Sequence, residues 1–151
     1  MALVPWSPLK NGFLSGKYRR DTPVTDSARS AFVGGPGEDE FTVIDTVAAI
    51  ADELGTTSAA VSLAWLRARE GTVVPILGAR RVEHLENNLA ALEVTLTPAH
   101  LHTLDEVSAP TLNYPAPMHG ALRAMLQFAG TTVDGETSTV YPPLEQSGVR
   151  Y

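Results

Sequence analysis

The sequence predicts an α/β fold of the parallel kind, on three observations. An apolar segment at residues 2–6 and another at 72–77 both read as strands. Helical periodicity fills much of the interval between them and resumes beyond the second. Two strands separated by helices suit a parallel crossover rather than a hairpin.

The elements follow in order. Residues 2–6 form a short strand. Residues 7–40 hold no sustained period and are rich in Gly, Pro, Ser, Thr and charge, including Gly34-Gly35-Pro36-Gly37. A loop of this length is usually a lid or a binding loop, or else mobile. Ile44, Val47, Ala48, Ala51 and Leu54 then recur at helical spacing, and Gly55 sits where a left-handed cap is wanted. Thr57 offers a cap oxygen to a second helix carrying Val61, Ala64, Trp65 and Ala68, which Gly71 stops. Thr72 to Leu77 is expected to be a buried parallel strand. A third helix from about Val82 presents Leu85, Leu89 and Leu92 on one face. Thr97-Pro98 opens a fourth, with Leu101, Leu104 and Val107 as its apolar positions. From Pro110 the pattern weakens, with a short helix expected at Ala121 to Phe128 and an aperiodic tail from Ala129 to Tyr151. The domain reading is therefore 1–109 and a tail, 110–151.

Only two strands are evident. A two-stranded parallel sheet keeps two open edges, yet parallel sheets occur almost only buried in larger assemblies. The stripe Ile44, Val47, Ala51, Leu54 and the face of Leu85, Leu89, Leu92 are expected to pack on a curved sheet that covers them only in part.

Composition narrows the function. The chain has 151 residues, 44% of them hydrophobic and 7% aromatic, enough for one domain with a core. A net charge of −6 argues against nucleic acid or an anionic membrane as the partner. Cysteine is absent, which excludes disulfides and thiolate chemistry and fits a cytoplasmic protein. No apolar run approaches the ~20 residues of a membrane span, and no secretion signal is expected.

Several residues are candidates for chemistry. The turn Gly78-Ala79-Arg80-Arg81 lies between a strand and a helix. Amides at a helix start and two guanidinium groups suit a phosphate, or else the Arg residues are simply solvated. Trp6, at a strand end, either stacks on a ligand ring or packs in a core. Ser7 offers a hydroxyl. Lys17 is either a pyrophosphate contact or an ordinary surface Lys. His100 and His102 lie two apart on one helix and face different sides, so they share no metal. Asp45, Asp52, Glu53, Asp105 and Glu106 read as solvated helix faces. No metal spacing, nucleophile motif, Walker-type loop or dinucleotide glycine fingerprint is present. No catalytic residue is assigned.

Four separated motifs carry a resemblance. Trp6-Ser7-Pro8-Leu9, Gly12-Phe13-Leu14-Ser15-Gly16-Lys17-Tyr18, Ala64-Trp65-Leu66-Arg67-Ala68-Arg69 and Pro75-Ile76-Leu77-Gly78-Ala79-Arg80-Arg81-Val82-Glu83-His84-Leu85-Glu86-Asn87-Asn88-Leu89-Ala90-Ala91-Leu92 together resemble the aldo-keto reductases. The likeness runs over about residues 2–109 and points to bacterial members related to potassium-channel β-subunits. It implies a (β/α)8 TIM barrel, of which this chain is the C-terminal portion, the last two strands with their helices. It also implies hydride transfer between NADP(H) and a small-molecule carbonyl or alcohol substrate.

Residue roles come only through that resemblance. Trp6 would stack on the nicotinamide. Ser7, Pro8, Leu9 and Lys10, with Asn11, would wrap the pyrophosphate. Lys17 would be a phosphate-side Lys of that loop, and Arg29 a further loop Arg. Gly78 and Arg80 would hold the adenosine 2′-phosphate. His84, Asn87 and Asn88 fall around the adenine, where the family more often has Gln, Glu and Asn. The segment from 110 resembles the variable region bordering the substrate pocket.

The family's catalytic Asp, Tyr, Lys and His lie on earlier strands, and none maps onto this sequence. The chain alone is therefore expected to be an inactive fragment whose implied partner is the N-terminal barrel half. Two alternatives stay open: a non-catalytic nucleotide-binding module, and one half of a split enzyme.

Overall fold

A computed structural model describes residues 2–20, 34–116, 130–133 and 135–137. The chain divides into two compact units, Met1–Ala109 and Pro110–Tyr151. In the first, β1 (Ala2–Leu3) pairs in parallel with β2 (Thr72–Val73), Ala2 opposite Thr72 and Leu3 opposite Val73. The pairing continues past the regular strands, with Val74 N–H donating to Leu3 O at 2.9 Å and Ile76 N–H to Pro5 O at 3.0 Å. Pro5 faces β2 and has no N–H to give, which is why the ladder thins after two residues. The expected strands at 2–6 and 72–77 are thus a paired ribbon with a short regular core. The expected burial of Thr72–Leu77 is corrected: Val74 and Ile76 are 53% and 54% exposed. Among the described residues no third strand joins this sheet, and its apolar side chains are left open.

The core is helical instead. Helix α1 (Glu38–Glu53) opens with Glu38, Asp39 and Glu40, whose charges suit the positive end of the helix dipole. Glu40 reaches back to accept from the Gly37 N–H at 3.0 Å. Its far end closes in a Schellman motif: Thr56 N–H donates to Ala51 O at 2.9 Å and Gly55 N–H to Asp52 O at 3.3 Å. Gly55 takes φ +62° there, a conformation a side chain would oppose. Thr57 then caps α2 (Ser58–Arg67), its side chain accepting from the Ala60 N–H.

Helix α2 is the hub. One face joins Val61 to Val47, Ile50 and Ala51 of α1 and to Leu104 of α4 (Pro98–Ser108). Another joins Ala60 and Leu63 to Ala91, in the short 3₁₀ turn after α3 (Val82–Leu89). Val61 is fully buried, and burying such a side chain contributes ~1.5–3 kcal/mol. The stripe of α1 was expected on a curved sheet, but it packs on α2 and α4 and on Phe13 and Tyr18 of the first loop. Leu85, Leu89 and Leu92 remain about half exposed.

Polar links tie the helices. Thr97 caps α4 by accepting from His100 N–H, and the His100 ring lies 3.2 Å from Glu53. Arg67 donates to Ala91 O. Trp65 Nε1 and Arg69 Nη1 both donate to Asp105 Oδ1, at 2.6 and 2.8 Å, while the Arg69 guanidinium lies 4.4 Å over the Trp65 ring. Asp45, Glu53 and Asp105, expected as plain solvated carboxylates, are thus ion-pair or hydrogen-bond partners.

The second unit is described in part. It holds an antiparallel pair, β3 (Thr132–Val133) with β4 (Glu136–Thr137). This corrects the aperiodic reading of the tail. The overlooked signal is the Asp-Gly dipeptide at 134–135, which favours a two-residue hairpin. The helix expected at Ala121 to Phe128 lies outside the described residues.

The Asp105 link makes a pH prediction. The bonds from Arg69 and then Trp65 hold the Asp105 carboxyl below its usual range. A depressed carboxylate contributes stability that is present above its ordinary pKa and lost as pH falls through the lower, folded value. In a Trp6→Phe background, Trp65 emission should therefore stay constant as pH falls through the ordinary Asp range and change only below it. Asp105→Asn should abolish that acid transition, and a transition surviving in Asp105→Asn would show that another group governs it.

Candidate functional site

Because β1 and β2 run parallel, the chain leaves both at the same end of the sheet. Trp6 opens the loop after β1, and Gly78 opens the turn after β2. The two loops and the adjoining faces of α2 and α3 enclose a cleft of ≈ 830 Å³. The first loop contributes Trp6, Ser7, Pro8, Leu9, Asn11, Gly12, Ser15 and Lys17 to its lining. Thr57 and Ala59 come from the start of α2, and Ile76 to Arg80 from the second loop. Glu83, His84, Asn87 and Asn88 come from α3. The pairs 83/87 and 84/88 are one helical turn apart, so they form one face.

The first loop is built to be rigid. A 3₁₀ helix over Lys10–Ser15 is interrupted at Asn11 and Gly12, and Ser7, Lys10 and Asn11 all take positive φ of 45–56°. Non-glycine residues rarely adopt that region, and such strain persists only where the surroundings fix it. Here Ser7 Oγ accepts from the Asn11 N–H at 3.1 Å, and Ser15 Oγ donates to Gly12 O at 2.7 Å. Leu9 packs beside Ala60, Leu63 and Ala91, while Phe13 and Tyr18 meet edge to face at 5.0 Å in the core. Lys17 extends over the Tyr18 ring, with Nζ 5.1 Å from its centroid. A Cβ on Gly12 would stand 3.3 Å from that Nζ, so the absent side chain makes room for the ammonium.

Ten of the twelve expected site residues line this cleft: Trp6, Ser7, Pro8, Leu9, Lys17, Gly78, Arg80, His84, Asn87 and Asn88. Trp6 is 80% exposed and is not packed into the core of the described residues. Leu9 faces the helical core with one side and the cleft with the other. Lys10 is held at the Glu40 carboxylate, 3.1 Å away, and is not among the lining residues. That bond is the largest cause of the Glu40 carboxyl lying below its usual range. Arg29 lies outside the described residues.

The lining has a clear chemistry. Lys17 and Arg80 supply positive charge from opposite loops, Ser7, Asn87 and Asn88 neutral polar groups, and Trp6 a flat apolar face. Arg81, the N-cap of α3, makes no side-chain capping bond, and the His84 N–H is taken by Arg81 O at 3.1 Å, so Val82 and Glu83 carry the leading amides of that helix. Glu83 is the acidic member, and the sequence reading missed it. Its place one turn before Asn87 was the available signal. Among the described residues no group of three His, Asp or Glu could hold a metal ion.

Comparison with known proteins places this arrangement. The model of the Aldo/keto reductase family matches residues 1–109. AAD14 of Saccharomyces cerevisiae, assigned to the aryl-alcohol dehydrogenases, is 33% identical over 124 residues, covering 80% of this chain and 33% of its own length. YFL057C of the same yeast, of the same assignment, is 31% identical and shares 76% of this chain and 78% of its own length. A protein of Schizosaccharomyces pombe assigned as a voltage-gated potassium channel β-subunit is 31% identical over 68% of this chain and 32% of its own length. A glycerol dehydrogenase from Gluconobacter oxydans shares the fold with a TM-score of 0.57 at 23% identity, over 73% of this chain and 36% of that one. This chain thus spans about a third of AAD14 and four-fifths of YFL057C. With the family model matched over residues 1–109, most of its length, the chain belongs to the aldo/keto reductase family of oxidoreductases.

Proposed function

We propose that this chain is the NADP(H)-binding, C-terminal part of an aldo-keto reductase barrel, present in the cytoplasm and without a catalytic tetrad of its own. One observation carries the reading: two segments far apart in sequence supply Lys17 and Arg80, two cations, to one cleft that also holds an exposed Trp6. A dinucleotide phosphate needs those three things, charge for its phosphates, a flat surface for a ring and room for both. Clefts that take cofactors typically measure ~300–1,000 Å³, and this one falls within that range.

The residues present fit such a group. Lys17, with Ser7 and Asn11 beside it, would hold the pyrophosphate. Gly78 and Arg80, with the leading amides of α3, would take the 2′-phosphate. His84, Asn87 and Asn88 would border the adenine, and Trp6 the nicotinamide. When bound, the cofactor supplies or accepts a hydride. The protein's part is to fix the ring at the sheet end through Trp6 and to neutralise the phosphates. Among the described residues the lining holds no Tyr, so none of them is proposed as the acid that would protonate the carbonyl oxygen.

Three outcomes test the reading. Arg80→Ala should weaken NADPH binding about tenfold or more, since losing a charge-assisted bond costs on the order of 1.5–3 kcal/mol. NADH binding should hardly change, and equal losses for both in a fluorescence titration would mean that Arg80 is not the discriminator. Gly12→Ala, which crowds the Lys17 ammonium at a strained φ of +94°, should weaken both cofactors alike. A selective loss would place Lys17 away from the pyrophosphate. The chain alone should not oxidise NADPH with an aromatic aldehyde above the protein-free background, with a full-length relative as positive control. Turnover by a preparation free of host reductases would overturn the fragment reading and point to an acid within this chain.

A further inference from the structure

We propose that Glu40, at the start of α1, is a positioning residue for the cleft: by holding Lys10 it keeps the first loop in the conformation that meets the cofactor. This rests on the reading of the cleft given above. Neither Glu40 nor Lys10 is among the residues that line it. Lys10 sits between Leu9 and Asn11, which both do, and it takes φ +45°, a region that an L side chain opposes. The neighbouring strain is answered within the loop. Ser7 Oγ accepts from the Asn11 N–H, and Gly12 has no Cβ to oppose its φ of +94°. Lys10 donates its N–H to Ser7 O at 2.9 Å, but its side chain leaves the loop. It goes to Glu40, 30 residues on, with Nζ 3.1 Å from Oε1.

The Glu40 end is firm. Its Oε2 accepts from the Gly37 N–H at 3.0 Å, so both carboxylate oxygens are engaged. The next residue, Phe41, packs against the cluster of Phe13, Tyr18 and Ile44, which ties this turn of α1 to the core. Gly37 leaves room for the arrangement, since a Cβ there would stand 2.9 Å from Glu40 Oε2. One carboxylate therefore joins the start of a packed helix to the strained residue of the loop.

The charge of Lys10 is neutralised at Glu40, while Lys17 and Arg80 carry theirs to the cleft. What Lys10 contributes to binding is shape rather than charge. With its side chain drawn outward to α1, the loop presents Leu9 on one side of it and Asn11 on the other to the cleft. The pair is partly exposed, so its effect on binding is modest and is read as a few-fold change.

The test uses the full chain, with NADPH and NADH titrated by fluorescence and amide hydrogen exchange followed in the cofactor-free protein. Glu40→Gln keeps an oxygen for the Gly37 N–H and removes the charge that holds Lys10. With helical circular dichroism unchanged, exchange at Asn11 and Gly12 should quicken and both cofactors should bind more weakly, each by roughly two- to fivefold. Lys10→Met should do the same, and the double variant should be no worse than either single one. Gly37→Ala, which displaces the carboxylate but keeps every charge, should act in the same direction. Asp39→Asn, which removes a charge from the same helix turn, should leave binding and exchange unchanged. Tighter NADPH binding in Glu40→Gln would make Lys10 a phosphate ligand held back by Glu40 and overturn the proposal, as would additive losses in the double variant. Quickened exchange in a chain that binds neither cofactor would sink the proposed function and keep the positioning role. Cofactor binding with affinity and exchange both unmoved in Glu40→Gln would do the reverse.

Discussion

The parallel pairing of Ala2–Leu3 with Thr72–Val73 is the constraint on which the site depends. Parallel strands send their following loops out at the same end, so Trp6 and Gly78 become neighbours although most of a domain lies between them in sequence. Pairing in the opposite sense would put the two loops at opposite ends and leave no cleft. The pairing itself is slender. Beyond its short register it rests on the bonds from Val74 and Ile76, and each such bond contributes only ~0.5–1.5 kcal/mol net. Its geometry must be held from elsewhere. Helix α2 does that, since Leu9 of the first loop and Ala91 beyond α3 both pack on its Ala60–Leu63 face.

The first loop shows how the same scaffold supports strain. Ser7, Lys10 and Asn11 occupy left-handed backbone regions, each costing on the order of 1 kcal/mol or more. Compensation comes from Phe13 and Tyr18 in the core, and from the Ser7–Asn11 contacts. Those contacts have a chemical consequence. Lys10 N–H, Asn11 N–H and Gly12 N–H all donate within the loop. The loop is therefore not an anion-binding nest of free amides, and anion affinity falls to Lys17, Arg80 and the start of α3.

Much of this was legible in the sequence, for physical reasons that differ by element. Thr57, Gly55 and Thr97-Pro98 marked helix ends because capping chemistry is local. The two strands were legible as apolar runs, and their parallel sense followed from the helices between them. The burial of Thr72–Leu77 was misread because an apolar run records what a strand wants to cover, not what is present to cover it. The α1 stripe was misassigned to a sheet for the same reason: periodicity names a face but not its partner. Asp45, Glu53 and Asp105 were read as solvated because their partners Arg20, His100 and Arg69 are brought in only by tertiary packing. For Trp6 the sequence leaves stacking and core packing open, and the structure adds that it is exposed. The grouping of Lys17 with Arg80 came only through family likeness, since spacing alone does not relate two separate loops.

Order in the first unit is therefore unevenly distributed, and the division follows the chemistry. The helices bury one another: Val61, Ala60 and Ala51 are almost wholly removed from solvent. Arg20, whose guanidinium is stabilised by Glu38 and then Asp45, fixes the chain against the start of α1 as it leaves the cleft loop. That pair is exposed, so screening keeps its contribution small, and it serves to place the chain more than to stabilise it. The ribbon, in contrast, keeps its apolar side chains in water. Regions with few buried contacts open at lower free energy than the core they adjoin. The stability of this unit resides in α1, α2 and α4, while the unspent apolar surface resides in β1, β2 and the outer face of α3. The cleft lies on the boundary between the two, with Leu9 anchored in the first and Trp6 standing on the second.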